Sequence, residues 1–195
     1  MITRANIKEV LLSGGTCILP TETVYGLAAR ADDSKAVDRI YTIKGRDFDK
    51  PLAVCIRDIA QAEELATFSS KAIAMATAFW PGPLTLVLPA KDENLDARCY
   101  QNGTIALRCP DISWREHLLE NPLALTSANR SGEPDATTAN TDINDEVDGL
   151  IDMGPAKGGT PSTIVSVTKN KAMGLRLGAI SAETLSSFNI DWPND

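Results

Sequence analysis

Short apolar runs that suit strands alternate with segments of helical spacing along most of this chain, and that alternation restricts the fold more than any other feature. A helical pattern covers 5–13 and is closed by Gly14-Gly15, after which 16–19 reads as a strand that runs into PTETVYGL at 20–27. Ser34 is placed to cap a helix whose apolar positions Ala36, Val37, Ile40 and Ile43 share one face, and this helix ends in Lys44-Gly45-Arg46. A buried strand follows at 52–56, then helices at 58–66 and 70–79, the second stopped by WPGP at 80–83. Strands are expected at 84–88 and 104–108 with a polar loop between them. Ser113 and Glu116 have the spacing of a capping box ahead of a short helix. Further strands at 123–126, 150–153, 162–167 and 172–177, a hairpin turn at 168–171 and a last helix from about 181 complete the pattern. The expected architecture is one α/β domain over 1–195, a twisted, mostly parallel or mixed sheet flanked by helices.

Composition excludes several classes. With 43% hydrophobic and 23% charged residues the chain is neither disordered nor fibrous. The first residues lack the basic and apolar blocks of a signal peptide, and no apolar stretch approaches the ~20 residues of a membrane helix. A soluble cytoplasmic protein without membrane contact is expected. The net charge of −7 argues against broad, charge-driven nucleic-acid binding. Cys17, Cys55, Cys99 and Cys109 have no CxxC spacing and His117 is the sole histidine, so neither a zinc site nor a histidine-based nucleophile is spelled out, and no metal-ligating set is assigned. The cysteines read as small buried hydrophobes and His117 as a surface residue.

Polar clusters sit where strands or helices end, so the fold is able to gather them on one rim. Lys44 and Arg46 flank a glycine, a pairing that suits polyphosphate or, equally, complements a helix C-terminus. Thr126-Ser127-Ala128-Asn129 follows an apolar strand and offers hydroxyl and amide groups, or a plain turn. Arg108 and Arg176 interrupt apolar strand runs, which requires an anionic partner, either a ligand or a structural Asp or Glu. Neither a Walker loop nor GxGxxG is present, so a nucleotide would be held by side chains from distant segments.

Seven segments in order, PTETVYGL (20–27), KGRDFDKPL (44–52), WPGPLTLVLP (80–89), TIALRCP (104–110), TSANRSGEP (126–134), PSTIVSV (161–167) and RLGAI (176–180), resemble the YrdC-like family in its short, single-domain form. The resemblance implies an enzyme that joins L-threonine, bicarbonate and ATP into threonylcarbamoyl-adenylate with release of pyrophosphate, on a concave sheet, with Mg2+ accompanying the nucleotide. The adenylate would pass to downstream tRNA threonylcarbamoyl-transfer proteins. By motif, the family's paired signature elements fall on Lys44, Arg46, Ser127 and Asn129. Thr23, Arg108 and Ser162 are expected at the threonine, with Leu125 giving backbone contacts, and Arg46, Lys50, Thr104, Ser127 and Arg176 at ATP. Three positions depart from the family pattern: Cys55 stands where relatives often carry His near the threonine, Asp47 where Pro is common, and Asp135 where Ser often meets the nucleotide. Two other readings use the same fold: a non-catalytic binder of double-stranded RNA or the ribosome, and a carbamoyl-transfer module like the related domain of hydrogenase-maturation proteins.

Overall fold

A computed structural model describes residues 4–169 and 171–193. Asn170 of the expected hairpin turn and the first three residues lie outside them. The elements run α1 (Arg4–Leu12), β1 (Cys17–Leu19), β2 (Gly26–Arg30), α2 (Ser34–Lys44), β3 (Ala53–Cys55), α3 (Ile59–Leu65), α4 (Ser70–Phe79), β4 (Leu84–Pro89), β5 (Tyr100–Gln101), β6 (Thr104–Arg108), α5 (Arg115–Leu118), β7 (Leu123–Ser127), β8 (Gly149–Leu150), β9 (Thr163–Thr168), β10 (Lys171–Arg176) and β11 (Ile190–Asp191). They form an 11-stranded mixed sheet in the order β11-β10-β9-β4-β6-β3-β7-β2-β1-β8, with β5 paired to β6. Among the described strands, parallel pairs (β1 with β8, β3 with β6, β4 with β9, β10 with β11) are outnumbered by antiparallel ones.

Side chains alternate across a strand, so each strand feeds two faces. On one face Leu27, Val54, Leu84, Leu86, Leu107, Ala124 and Val165 form a continuous core with α2, α3 and α4. On the other, α1 and α5 cover only the part of the sheet around β1, β2 and β7, packing Ile7, Leu11, Trp114 and Leu118 on Leu19, Ala28, Leu123 and Leu125. Among the described residues the rest of that face, across β4, β6 and β9, has no helical cover and becomes the wall of a cavity. Trp114 is fully buried and ties α5 to the β1 end by donating Nε1 to the Pro20 carbonyl at 2.7 Å.

Four expectations are corrected. The strand β2 inside the GLAAR segment was missing from the sequence reading, because its residues are buried on both faces and show no alternation. The α2 cap is Asp33, whose carboxylate accepts from the Lys35 and Ala36 N–H groups, one residue ahead of Ser34. The short helix expected after 113–116 is present as α5, but it is a single turn whose cap position falls on Trp114, one residue after Ser113. Among the described residues no α-helix follows 181; the chain makes a 3-10 turn at Ser186–Phe188, is broken by Asn189 at φ 48, and continues into β11 beside β10. Leu185 is the apolar residue of 181–187 that reaches the core, and one anchor does not hold a helix. The expected hairpin is borne out, with Thr168 paired to Lys171.

Candidate functional site

The uncovered face carries a cavity of about 360 Å3 lined from β3, β4, β6, β7, β9 and β10 and from the segments that enter and leave them. Its wall is made by alternate residues of these strands, among them Cys55, Thr85, Val87, Thr104, Ala106, Arg108, Leu125, Ser127 and Ile164. Their strand neighbours Val54, Leu86, Ile105, Leu107, Ala124 and Val165 belong to the core on the opposite face. Strand periodicity thus divides each segment into a packing half and a ligand-facing half.

The PTETVYG segment reaches the cavity through a side-chain turn. Thr21 Oγ1 donates to the Val24 carbonyl at 2.6 Å and accepts from the Val24 and Thr23 N–H groups, which reverses the chain after β1. Since the single Thr21 hydroxyl hydrogen is used there, the 2.8 Å contact between Thr21 and Thr23 is donated by Thr23. The Thr23 oxygen then accepts from Arg108 Nη2 at 2.9 Å. Arg108 Nη2 also donates to Glu22 Oε1 at 2.8 Å. At the far side, Ser162 and Thr85 share a 2.8 Å hydroxyl contact, and Arg176 donates Nε and Nη2 to the Ser162 carbonyl. Burial lowers the Arg176 pKa, Asp135 opposes it, and the neighbouring Arg108 adds a smaller lowering.

The Lys44-Gly45-Arg46 element is explained by its turn. Gly45 takes φ 60, the Gly45 N–H bonds to the Thr42 carbonyl and the Arg46 N–H to the Tyr41 carbonyl, a Schellman ending that favours glycine at the left-handed position. The reversal sends the two cations in different directions. Arg46 lines the cavity, its guanidinium braced by the Lys50 and Pro51 carbonyls. Lys44 turns inward, is 2% exposed, and donates to the carbonyls of Ser127 and Asn129 at 2.7 and 2.6 Å and to Asn129 Oδ1 at 3.2 Å. Burial first and Arg46 second lower its pKa from 10.5 to about 8. The Ser131 N–H returns to the Lys44 carbonyl, and Asn129 Nδ2 closes the loop onto the Glu133 carbonyl.

Ten of the thirteen site residues expected from the sequence line this cavity: Thr23, Arg46, Cys55, Thr104, Arg108, Leu125, Ser127, Asp135, Ser162 and Arg176. Lys44 and Asn129 join each other behind the wall instead of facing the cavity. Lys50 stays outside, its exposed ammonium paired with Asp47 at 2.7 Å. Thr85, Thr21 and Glu22 were missed. Thr85 had a signal, being the lone polar side chain inside LTLVLP, whereas Glu22 gains meaning only from the arginine 86 residues away. All four cysteines are buried and unpaired, and burial pushes the Cys55 thiol up to about 12, so it offers the cavity a neutral wall. His117 is exposed.

The fold and site together define an α/β class with an open mixed sheet whose bare face gathers arginines from three distant segments. The Sua5/YciO/YrdC family model, described as "Telomere recombination", matches residues 9–178, and the chain belongs to that family. It is 40% identical over 94% of its length to a threonylcarbamoyl-AMP synthase of Bacillus subtilis, covering 55% of that protein. It is 36% identical over 92% of its length to a putative threonylcarbamoyl-AMP synthase of Methanocaldococcus jannaschii, covering 87% of it. The crystal structure of Pyrococcus abyssi Sua5 complexed with L-threonine superposes with a TM-score of 0.90 at 34% identity, over 99% of this chain and 60% of that one. The chain thus spans little more than half the length of some relatives and most of others.

Proposed function

We propose that this chain is a threonylcarbamoyl-AMP synthase, which condenses L-threonine, bicarbonate and ATP into threonylcarbamoyl-adenylate and pyrophosphate for tRNA modification in the cytoplasm. The observation that carries the reading is the convergence of Arg46, Arg108 and Arg176 on one cavity, with Lys44 directly behind its wall. Both reactants are anions, and the carbamate oxygen has to meet the α-phosphorus in line while pyrophosphate leaves, a task of positioning and charge neutralisation. In this reading Arg108 takes the amino-acid carboxylate, a role supported by the Thr23 and Ser162 hydroxyls nearby and by Leu125 on the same wall. In the same reading Arg46, Thr104, Ser127 and Arg176 take the nucleotide, and Lys50 would join them only by leaving Asp47. The P. abyssi relative with L-threonine bound supports the choice of amino acid.

The cavity also suits a magnesium-bound nucleotide. Among the described residues no cluster of three or more His, Cys, Asp or Glu is built to hold a metal by itself. Mg2+ is commonly held by one or two carboxylates together with substrate phosphates. Asp135 is the one carboxylate among the lining residues, and among the described residues its side chain has no hydrogen-bond partner, so it is the group that would hold such an ion. When bound with the nucleotide, Mg2+ supplies neutralisation of phosphate charge. No helix among the described residues is long and apolar enough to cross a membrane. RNA contact and delivery to downstream tRNA-modifying proteins belong to the same proposal.

The test is pyrophosphate release by the purified protein with ATP and Mg2+, with and without L-threonine and bicarbonate. Release that requires both additions is expected, and release indifferent to either rejects the chemistry. Lys44→Ala, Arg46→Ala and Asn129→Ala are expected to abolish turnover, whereas full activity in all three would place the reaction elsewhere.

A further inference from the structure

Among the described residues, two buried side-chain atoms have no hydrogen-bond partner: Glu22 Oε2 and Arg108 Nε. They belong to the same ion pair, at the edge of the cavity. Native proteins leave few such atoms, and a buried charged group with an unmade bond is held at a cost that a ligand is able to relieve. Nε and Nη2 form one edge of a guanidinium, a two-donor fork that matches a carboxylate. Glu22 fills half of that fork through Oε1 and leaves the other half, together with its own second oxygen, unmatched. The unmet needs have opposite sign. Nε calls for an anionic acceptor and Oε2 for a cationic donor.

The chemical complement of that pair is a zwitterion. We infer that Glu22 and Arg108 together recognise the two charged ends of an α-amino acid: the ligand carboxylate takes the Nε/Nη2 edge of Arg108, and the ligand ammonium takes the Glu22 carboxylate. The inference rests on the reading of the Arg108 end of the cavity as an amino-acid subsite, and adds to it a residue that discriminates between ligands. The exchange conserves charge, since one internal ion pair becomes two pairs with the ligand. Glu22 moves as a side chain only, because the Gly158 N–H holds its carbonyl at 3.1 Å and the Gly159 N–H holds that of Thr23 at 2.9 Å. A plain carboxylic acid lacks the ammonium, so it would set two carboxylates on one guanidinium and leave Glu22 without a cation. Glu22 therefore selects amino acids against hydroxy acids of the same shape.

The experiment is calorimetric titration of the purified protein with L-threonine and with 3-hydroxybutyrate, its counterpart without the amino group. Wild type is expected to favour threonine by at least tenfold. Glu22→Gln, which keeps the size and one acceptor but removes the charge, is expected to shrink that ratio at least tenfold, chiefly by binding the hydroxy acid better. Glu22→Asp, which keeps the charge, is expected to retain a preference for threonine. A merely structural partner of Arg108 would weaken both ligands alike, so an unchanged ratio in folded Glu22→Gln overturns the inference while leaving the amino-acid subsite standing. Absence of threonine binding in wild type removes the subsite itself, and the role of Glu22 with it.

Discussion

Replacing Lys44 with methionine separates what the buried ammonium does for stability from what it does for anion binding. The substitution keeps the stem and removes three hydrogen bonds, two to backbone carbonyls and one to Asn129 Oδ1. Bonds to a charged group contribute about 1.5–3 kcal/mol each, so about 4.5–9 kcal/mol of gross interaction is lost. Against this, methionine has no charge to bury. Holding Lys44 protonated with its pKa depressed from 10.5 to about 8 costs about 3.4 kcal/mol, at 1.36 kcal/mol per pH unit. The net is a destabilisation of roughly 1–6 kcal/mol, which for a chain of this length lowers the melting temperature by about 10 °C at the centre of the range. The pH dependence has a defined sign. Below pH 8 both states hold the proton; between 8 and 10.5 the unfolded state holds more, so wild-type stability rises relative to Lys44→Met across that window. Nucleotide affinity moves the other way, falling in wild type as pH passes 8 and the charge behind the cavity is lost. Thermal unfolding of both proteins at pH 7 and 9, with and without ATP, measures all three effects. Equal melting temperatures at pH 7, or a stability gap that narrows by pH 9, would refute the reasoning.

Arg176→Ala is expected to weaken nucleotide binding by about 10- to 100-fold, the worth of a charge-assisted bond to phosphate, while threonine affinity measured by calorimetry stays within a factor of about three. Asp135→Asn removes the carboxylate among the cavity-lining residues; ATP binding titrated against Mg2+ is expected to become less dependent on the ion and stronger without it. Gly174→Ala places a Cβ 1.9 Å from the Trp192 ring, so the tryptophan must leave β10 and the melting temperature is expected to fall by several degrees, a cost of about 1–3 kcal/mol typical of overpacking. An unchanged melting temperature there would show that the C-terminal strand does not depend on this contact.

The sequence by itself determined the two-faced strands and the turns between elements. In LTLVLP and TIALR the alternation already separates Leu84, Leu86, Leu88, Ile105 and Leu107 from Thr85, Val87, Thr104, Ala106 and Arg108, because period two is a property of the extended backbone. Gly45 between two cations likewise foretold a helix end, since the left-handed closing residue is a local steric matter. Most of the expected site residues therefore fell on one wall. The failures were local patterns without tertiary support: 181–187 buries one apolar side chain, Leu185, and β2 has no alternation because both its faces are covered.

Only the tertiary structure decided which charges meet. Lys44 reads as a rim cation beside Arg46, yet it turns away and ties Asn129, 85 residues distant, to the end of α2. Glu22 reads as one polar residue of a turn, yet it is the counter-charge of Arg108 from the centre of the sheet. Local propensity acts over a few residues along the chain. Ion pairs and cavities are set by the order β4-β6-β3-β7-β2, which places segments distant in the sequence side by side and, among the described residues, leaves one stretch of sheet without a helix above it.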